Sequence, residues 1–546
     1  MARDELEDQD PENLNEELLE GEGEEEEEKE PSGAPGWFIS VGVHSLFALI
    51  FYYAVWATHE EDTELPPMKV TTIDPPPKKE EKKDLERQLE TTVEINVASE
   101  ADVAAPINNL EVPLEEKTTS EDDNNAEIAK GREEAVASSE TGSTGAFMAI
   151  GAGGGSAGMF GNRNGGGKRR ALAKGGGTRA SESAVDAALR WFKRHQSPNG
   201  MWDAEKYPVN CTETPKCEPG KGHGSSDANV AMTGYAVLCF LGAGYDHKTP
   251  NKYKTTVEKG LEYLRSVQTG DGNLGPRNYE HAVATMALGE AFAMTNDPDL
   301  KQPAQKGLNV LIARQLKDGG KDGKNGSDPY SGLGWDYVEP KAERIDSSVT
   351  GWCVMALKSG LAGGLNIGNA MDGAKKWLKR HWEASNPDFK KLTDPYADTS
   401  TFAYTWDTTS DKVEVGAPGS GSHEMAPVGA LCSVFLGHHA GDIMLETLCN
   451  YVMKYQFPAK YPCNTYYMYY NTLAVFQAGG QRWDKWNNSV RDMLVNAQRK
   501  GDGCFDGSWD FEGTVFHGSD TGRVLSTAYC CLSLEVYYRY KQVGGK

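Results

Sequence analysis

The stretch SAVDAALRWFKRHQSPNGMW, residues 183–202, decides the fold. Val185, Ala188, Leu189 and Phe192 recur at i, i+3, i+4 and i+7, the spacing of a helix with one buried face. Gln196 ends the pattern, a Ser-Pro-Asn-Gly turn follows, and Trp202 closes it. Five further amphipathic segments share the pattern: residues 255–268, 304–315, 370–382, 445–456 and 486–498. Each of the six precedes a Gly- or Pro-containing loop and a second, more apolar helix rich in small residues, at 227–244, 280–294, 347–360, 425–437, 464–479 and 524–540. Small apolar helices pack closely and are covered on most sides, whereas amphipathic ones lie outside. A unit repeated six times predicts an all-α fold, an α/α toroid of about six helical hairpins over 181–546. No alternating run is long enough to predict a sheet.

Upstream the chain changes character. Residues 1–35 are an acidic tail, with 16 acids against two bases in the first 30 positions, and are predicted to be disordered. Residues 36–58, GWFISVGVHSLFALIFYYAVWAT, contain no Asp, Glu, Lys or Arg, the 21 positions from Trp37 to Ala57 among them. That is enough for one transmembrane helix, since a bilayer core takes about 20 apolar residues. Trp37, Tyr52, Tyr53 and Trp56 suit the two interfaces. Residues 59–180 form a Pro-, charge- and Gly-rich linker, predicted to be disordered. Its glycine run around Lys168 lacks the phosphate-loop spacing, because Arg169 and Arg170 follow the lysine. The net charge of −24 belongs mostly to the tail and linker, so the folded part carries no electrostatic footprint for nucleic acid.

Gln196, Gly200 and Trp202 make a Q-x-x-x-G-x-W pattern that resembles the repeat of squalene–hopene and other terpenoid cyclases. Weaker copies are QTGDGNLG (268–275), QLKDGG (315–320) and QRKGDGCF (498–505). The same toroid occurs in protein prenyltransferase β subunits and complement-like thioester domains. The resemblance implies a ligand site at one mouth of the ring and, as one alternative, a divergent terpenoid cyclase or prenyltransferase-like enzyme acting on a lipid-soluble substrate. Within the anchor, Ser40 and His44 resemble the Ser-x-x-x-His signature of TonB-type energy transducers. That likeness implies coupling to a proton channel of the MotA/TolQ/ExbB class, a single-pass inner (cytoplasmic) membrane protein of a bacterial envelope, and a periplasmic toroid used as a binding module. Lys69, Lys78 and Lys79 against Lys29 argue for the opposite topology. The Ser-x-x-x-His signature is the more specific signal.

The chemistry of the known relatives is mostly missing. A cyclase of the hopene type protonates an alkene with a D-x-D-D acid, and the folded part has none. Asp502, Cys504 and His517 are ligand types that zinc accepts, but Asp502 and Cys504 fall in a glycine loop and read as structure. No metal or other cofactor is evident. All ten cysteines lie beyond residue 210, and Cys211 and Cys217 share a loop where an oxidising compartment would allow them to pair. Acids recur at the starts of the inner helices: Asp227, Glu280, Asp346, Glu424 and Asp520. Helix capping accounts for such positions. Glu280-His281 and His423-Glu424 are the least cap-like, so Glu280, His281, Asp346, His423 and Glu424 are the catalytic candidates, and Asp227 and Asp520 the ligand-binding ones. An enzyme requires Glu280, Asp346 and Glu424 to approach one another across an apolar cavity large enough for a chain-like lipid. The Trp-Asp pairs at 202–203, 335–336, 406–407 and 509–510 are expected to pack under helix ends.

Overall fold

The computed structural model describes residues 163, 165–220, 227–317, 332–338, 344–415, 424–514 and 518–539. Segment 36–58, with Ser40 and His44, lies outside them, as does His423. Among the described residues no helix is long and apolar enough to cross a membrane.

The six predicted hairpins are present. A short leading helix, α1 (Gly165–Gly175), precedes them. The outer helices are α2 (Arg179–His195), α4 (Lys254–Val267), α6 (Pro298–Arg314), α8 (Ala370–Ser385), α10 (Ile443–Tyr455) and α12 (Gly480–Ala497). Their inner partners are α3 (Asp227–Gly242), α5 (Asn278–Thr295), α7 (Ser347–Ala362), α9 (Ala426–Phe435), α11 (Thr465–Ala478) and α13 (Gly518–Leu534), followed by the short α14 (Val536–Arg539). Each inner helix packs on the next, and α13 returns to α3, so the inner layer is a closed ring. Each outer helix lies against two successive inner helices, with α2 bridging α13 and α3 across the seam. This is the α/α toroid. Closure leaves each inner helix surrounded, which is why α5 and α11 are buried along almost their whole length.

The Gln-Gly-Trp copies are the joints of this ring. The Gln196 amide donates to the carbonyls of Gly200 and, on the next outer helix, Thr256, each at 2.9 Å. Gln268 bonds Gly272 and Pro303 in the same way, and Gln315 bonds Leu333 and Ala370. Gln498 bonds Gly507 and Ala184, which ties the last hairpin to the first. Trp202, Trp335 and Trp509 lie buried beneath the outer-helix ends, their indole N–H donating to Phe192, Leu311 and Leu494 carbonyls at 2.7–2.8 Å. Each ring buries about 150–250 Å², an upper bound of about 4–6 kcal/mol of hydrophobic gain.

Two features depart from the expectation. First, the loops within the third and fourth hairpins form a three-stranded antiparallel sheet, β1 (Arg344–Asp346), β2 (Thr405–Asp407) and β3 (Lys412–Glu414), with Ile345 opposite Trp406 and Trp406 opposite Val413. Strands of three residues are too short to show alternation in sequence. Trp406 therefore sits in a strand, with the Arg380 guanidinium 4.9 Å from its ring centre. Second, the folded unit reaches back into the segment read as linker. The α1 helix packs on α14, and Arg163 is buried with its guanidinium 3.0 Å from Glu290.

Arg539 also pairs with Glu290, at 2.8 Å, so one buried carboxylate on α5 gathers the first and last of the described residues. Nearby, Glu535 is fully buried, and burial pushes its carboxyl up to about 8 against the opposing pull of Arg539. A raised folded-state value means this group's stabilisation is complete below its unfolded value of 4.5 and is lost as pH rises through about 8. The thermal midpoint is therefore expected to fall between about pH 4.5 and pH 8, and Glu535→Gln to flatten that fall. Circular dichroism melts of the two proteins check this; parallel curves would refute it.

Candidate binding site at the mouth of the ring

Among the described residues, aromatic side chains fill the middle of the ring. Tyr235 from α3, Tyr279 from α5, Trp352 from α7, Tyr466, Tyr469 and Tyr470 from α11 and Tyr529 from α13 converge on its middle. The hydroxyls of three of them are knitted together: Tyr235 to Tyr529 at 3.0 Å, Tyr279 to Tyr529 at 3.3 Å, and the Trp352 indole N–H donates to the Tyr279 oxygen at 3.0 Å. Trp352 stacks on Tyr469 with ring centres 5.7 Å apart, and Tyr469 stacks on Tyr529. Burial holds the Tyr235, Tyr279 and Tyr529 phenols above their ordinary value, so they are neutral hydrogen-bonding groups.

Above this plug, a cavity of about 90 Å³ opens at the end of the ring where α3, α5 and α13 begin. Tyr235, Tyr279 and Tyr529 form its aromatic base, Ala231, Met232 and Leu525 are apolar lining, and Arg277 and Glu280 supply a charged pair. The predicted convergence of inner-helix starts on one mouth is thus partly realised. Glu280 lines the cavity, as do Ala228 and Thr521, the chain neighbours of Asp227 and Asp520. The side chains of Asp227 and Asp520 themselves lie outside the described residues.

The other acids do other work. Asp346 is fully buried and caps α7, accepting the N–H groups of Ser348 at 2.9 Å and Val349 at 3.2 Å, with the Ser348 hydroxyl at 2.6 Å and Arg344 at 3.2 Å. Burial raises its carboxyl, against these bonds. Asp346 reaches the mouth only indirectly, through Tyr404, whose hydroxyl lies 3.3 Å from that of Tyr337 in the cavity wall. Glu424 is buried, bridges the Ala403 backbone, and lies 3.5 Å from the Gln456 amide, apart from the cavity lining. The three acids therefore do not meet across one cavity.

His281 corrects an expectation. Its Nδ1 accepts the Leu274 N–H at 3.0 Å and its Nε2 donates to the Gly307 carbonyl at 2.8 Å. Burial lowers its pKa to about 4. A neutral imidazole with both nitrogens committed joins a loop to α6 and does not serve the mouth. Neighbours on a helix point about 100° apart, so Glu280 and His281 cannot share a face.

Sequence reasoning passed over the tyrosine plug, although TYYMYYN (465–471) carries the signal: hydroxyl-bearing rings at i, i+3 and i+4 on a helix surrounded by others. It also missed a meeting of ligand types at the seam of the ring. Among the described residues, the one group of three metal-ligand side chains that converge is His195, Cys211 and Cys217.

No family model matches the chain, and no curated protein does. Solved structures similar to it include an inactive variant of the α-1,6-mannanase of Salegentibacter sp. HEL1_6 bound to α-1,6-mannotetrose. It has 11% identity and a TM-score of 0.42, with 66% of this chain and 99% of that one covered. An α-amylase from Clostridium perfringens gives 13% and 0.41, covering 66% and 99%. An unsaturated glucuronyl hydrolase specific for heparin gives 13% and 0.42, covering 66% and 96%. Likeness at this level says nothing about the chemistry of this chain.

Proposed function

We propose that this chain is a membrane-tethered binding protein of a bacterial envelope, whose toroid takes up a compact apolar group at its mouth. The observation that carries the proposal is the filled ring axis. The cavity above the tyrosine plug holds about 90 Å³, far below the roughly 300 Å³ at which pockets begin to enclose drug-sized ligands. One aromatic ring or branched aliphatic group fits there, above a phenolic base that can hydrogen-bond it and beside Arg277 and Glu280, which can read a neighbouring polar group. An isoprenoid chain does not fit. Nor do the acids needed by the alternative, a divergent terpenoid cyclase or prenyltransferase-like enzyme, come together: Glu280 is paired with Arg277, Asp346 is an N-cap, and Glu424 faces Gln456.

The tether half of the proposal rests on sequence. Residues 36–58 anchor the chain in the inner membrane, with the toroid in the periplasm at the end of the linker. Ser40 and His44, four positions apart in the sequence, engage a proton channel of the MotA/TolQ/ExbB class, since a histidine inside a membrane calls for a partner helix. The test of the binding half is whether the purified full chain takes up a single phenolic ring, such as p-cresol, and loses that ability in Leu525→Trp, which fills the mouth from α13. Saturation-transfer NMR reads both. Equal uptake by the two proteins would place the site elsewhere.

A further inference from the structure

The loop after α2 and the turn after α12 (Gly503–Phe505) meet at the seam of the ring, where the first hairpin touches the last. There the His195 Nε2 lies 3.2 Å from the Cys211 sulfur and 3.6 Å from that of Cys217, and the three ligand atoms all fall within 4.8 Å of one another. The Cys504 thiol, 287 residues beyond Cys217, lies beside these three but outside the set within 4.8 Å: its side chain interacts with that of Cys211, and its carbonyl accepts from the Cys217 sulfur at 3.2 Å. All four residues are buried.

We propose that His195, Cys211, Cys217 and Cys504 form a closed, structural zinc site that pins the first hairpin to the last. Zinc in a tetrahedron of three thiolates and one imidazole has Zn–S bonds of about 2.3 Å and Zn–N bonds of about 2.0–2.1 Å. Those lengths put a ligand nitrogen about 3.6 Å from each sulfur, close to the two separations at His195.

The surroundings are those of a ligand set. The His195 Nδ1–H donates to the Trp191 carbonyl at 2.8 Å, which fixes the tautomer and leaves the Nε2 lone pair facing the sulfurs. Trp191 stacks on the imidazole, ring centres 4.3 Å apart, and holds its plane. Two backbone N–H groups point at sulfur, Cys217 to Cys211 at 3.3 Å and Glu213 to Cys504 at 3.1 Å, and the protonated Cys504 thiol in turn donates to the Glu213 carbonyl at 3.3 Å. The buried Arg523 guanidinium is near enough to act on His195 and Cys217, and is itself held by Glu218 and Asp510.

Zinc entry displaces the thiol protons, so occupancy falls as pH falls. Four protein ligands leave no open position, which assigns the site to structure and not to catalysis. The site uses Cys504 without Asp502, since the other ligands come from the first hairpin.

The test is metal analysis of the full chain purified without chelator, followed by replacement of its metal with cobalt(II). We expect about one zinc per chain. Cobalt should give the strong visible bands of a tetrahedral ion with thiolate-to-metal charge transfer in the near ultraviolet. Cys504→Ser should retain at least about tenfold less metal, while Cys432→Ser, a buried cysteine on α9, should retain it all. The cobalt spectrum of the unaltered chain keeps the test valid if Cys504→Ser fails to fold. A metal-free chain that takes up no cobalt, a weak octahedral spectrum, or a Cys211–Cys217 disulfide in peptide mapping would overturn the proposal.

Discussion

Glu290→Ala is expected to destabilise the toroid by about 3–5 kcal/mol, the cost of removing one partner from a buried ion pair. Glu290 stands near the C-terminal end of α5, and its two oxygens hold Arg163 at 3.0 Å and Arg539 at 2.8 Å. Both guanidiniums are buried and each also donates to a carbonyl of α3, Arg163 to Leu241 and Arg539 to Leu238. Without the carboxylate, two cations lose the charge they share, and the segments that precede α1 and form α14 lose their anchor. Glu182→Ala is the comparison. Its partner Lys168 lies 2.9 Å away, but both side chains are partly exposed, so the loss should stay below about 1 kcal/mol. Urea unfolding followed by circular dichroism measures both. Equal small losses would mean that the Glu290 cluster contributes little.

The second large effect is expected at Gly200, the central residue of the motif that announced the fold. Its φ of +92° lies in the left-handed region, and an added Cβ would stand 2.1 Å from the Lys259 carbonyl oxygen on α4. Left-handed strain costs about 1–3 kcal/mol, and the clash forces the turn off the neighbouring helix as well. Gly200→Ala should therefore cost about 3 kcal/mol or more. The Gln196 bonds to Gly200 and Thr256 would weaken with it. Gly270→Ala is the control, since a Cβ there meets nothing within 4 Å, and it should stay within about 0.5 kcal/mol. Matching melting curves for the two variants would refute the close-approach account.

These two positions mark the limits of what the sequence reveals. Gly200 was legible because its constraint is local: a helix, a glutamine, a turn and a tryptophan within 20 residues repeat along the chain. The outer helices were legible because 3.6-residue periodicity survives in each, and the inner ones because small residues dominate them. Arg163 was not legible, because composition over a glycine-rich stretch says nothing about one arginine whose partner lies 127 residues away. The sheet escaped because three-residue strands carry no alternation. Acids at helix starts were found, but sequence position cannot separate the N-cap Asp346 from the mouth residue Glu280. The zinc ligands sit in two loops whose meeting depends on ring closure.

The measurement that bears most directly on the central claim compares p-cresol with farnesol on the purified full chain, with both ligands followed by NMR. If the mouth is a binding site for one compact group, p-cresol binds to the unaltered chain and not to Leu525→Trp, farnesol does not bind, and both are recovered unchanged. Uptake of farnesol into the ring with conversion to a new product would contradict the binding role and establish an enzyme.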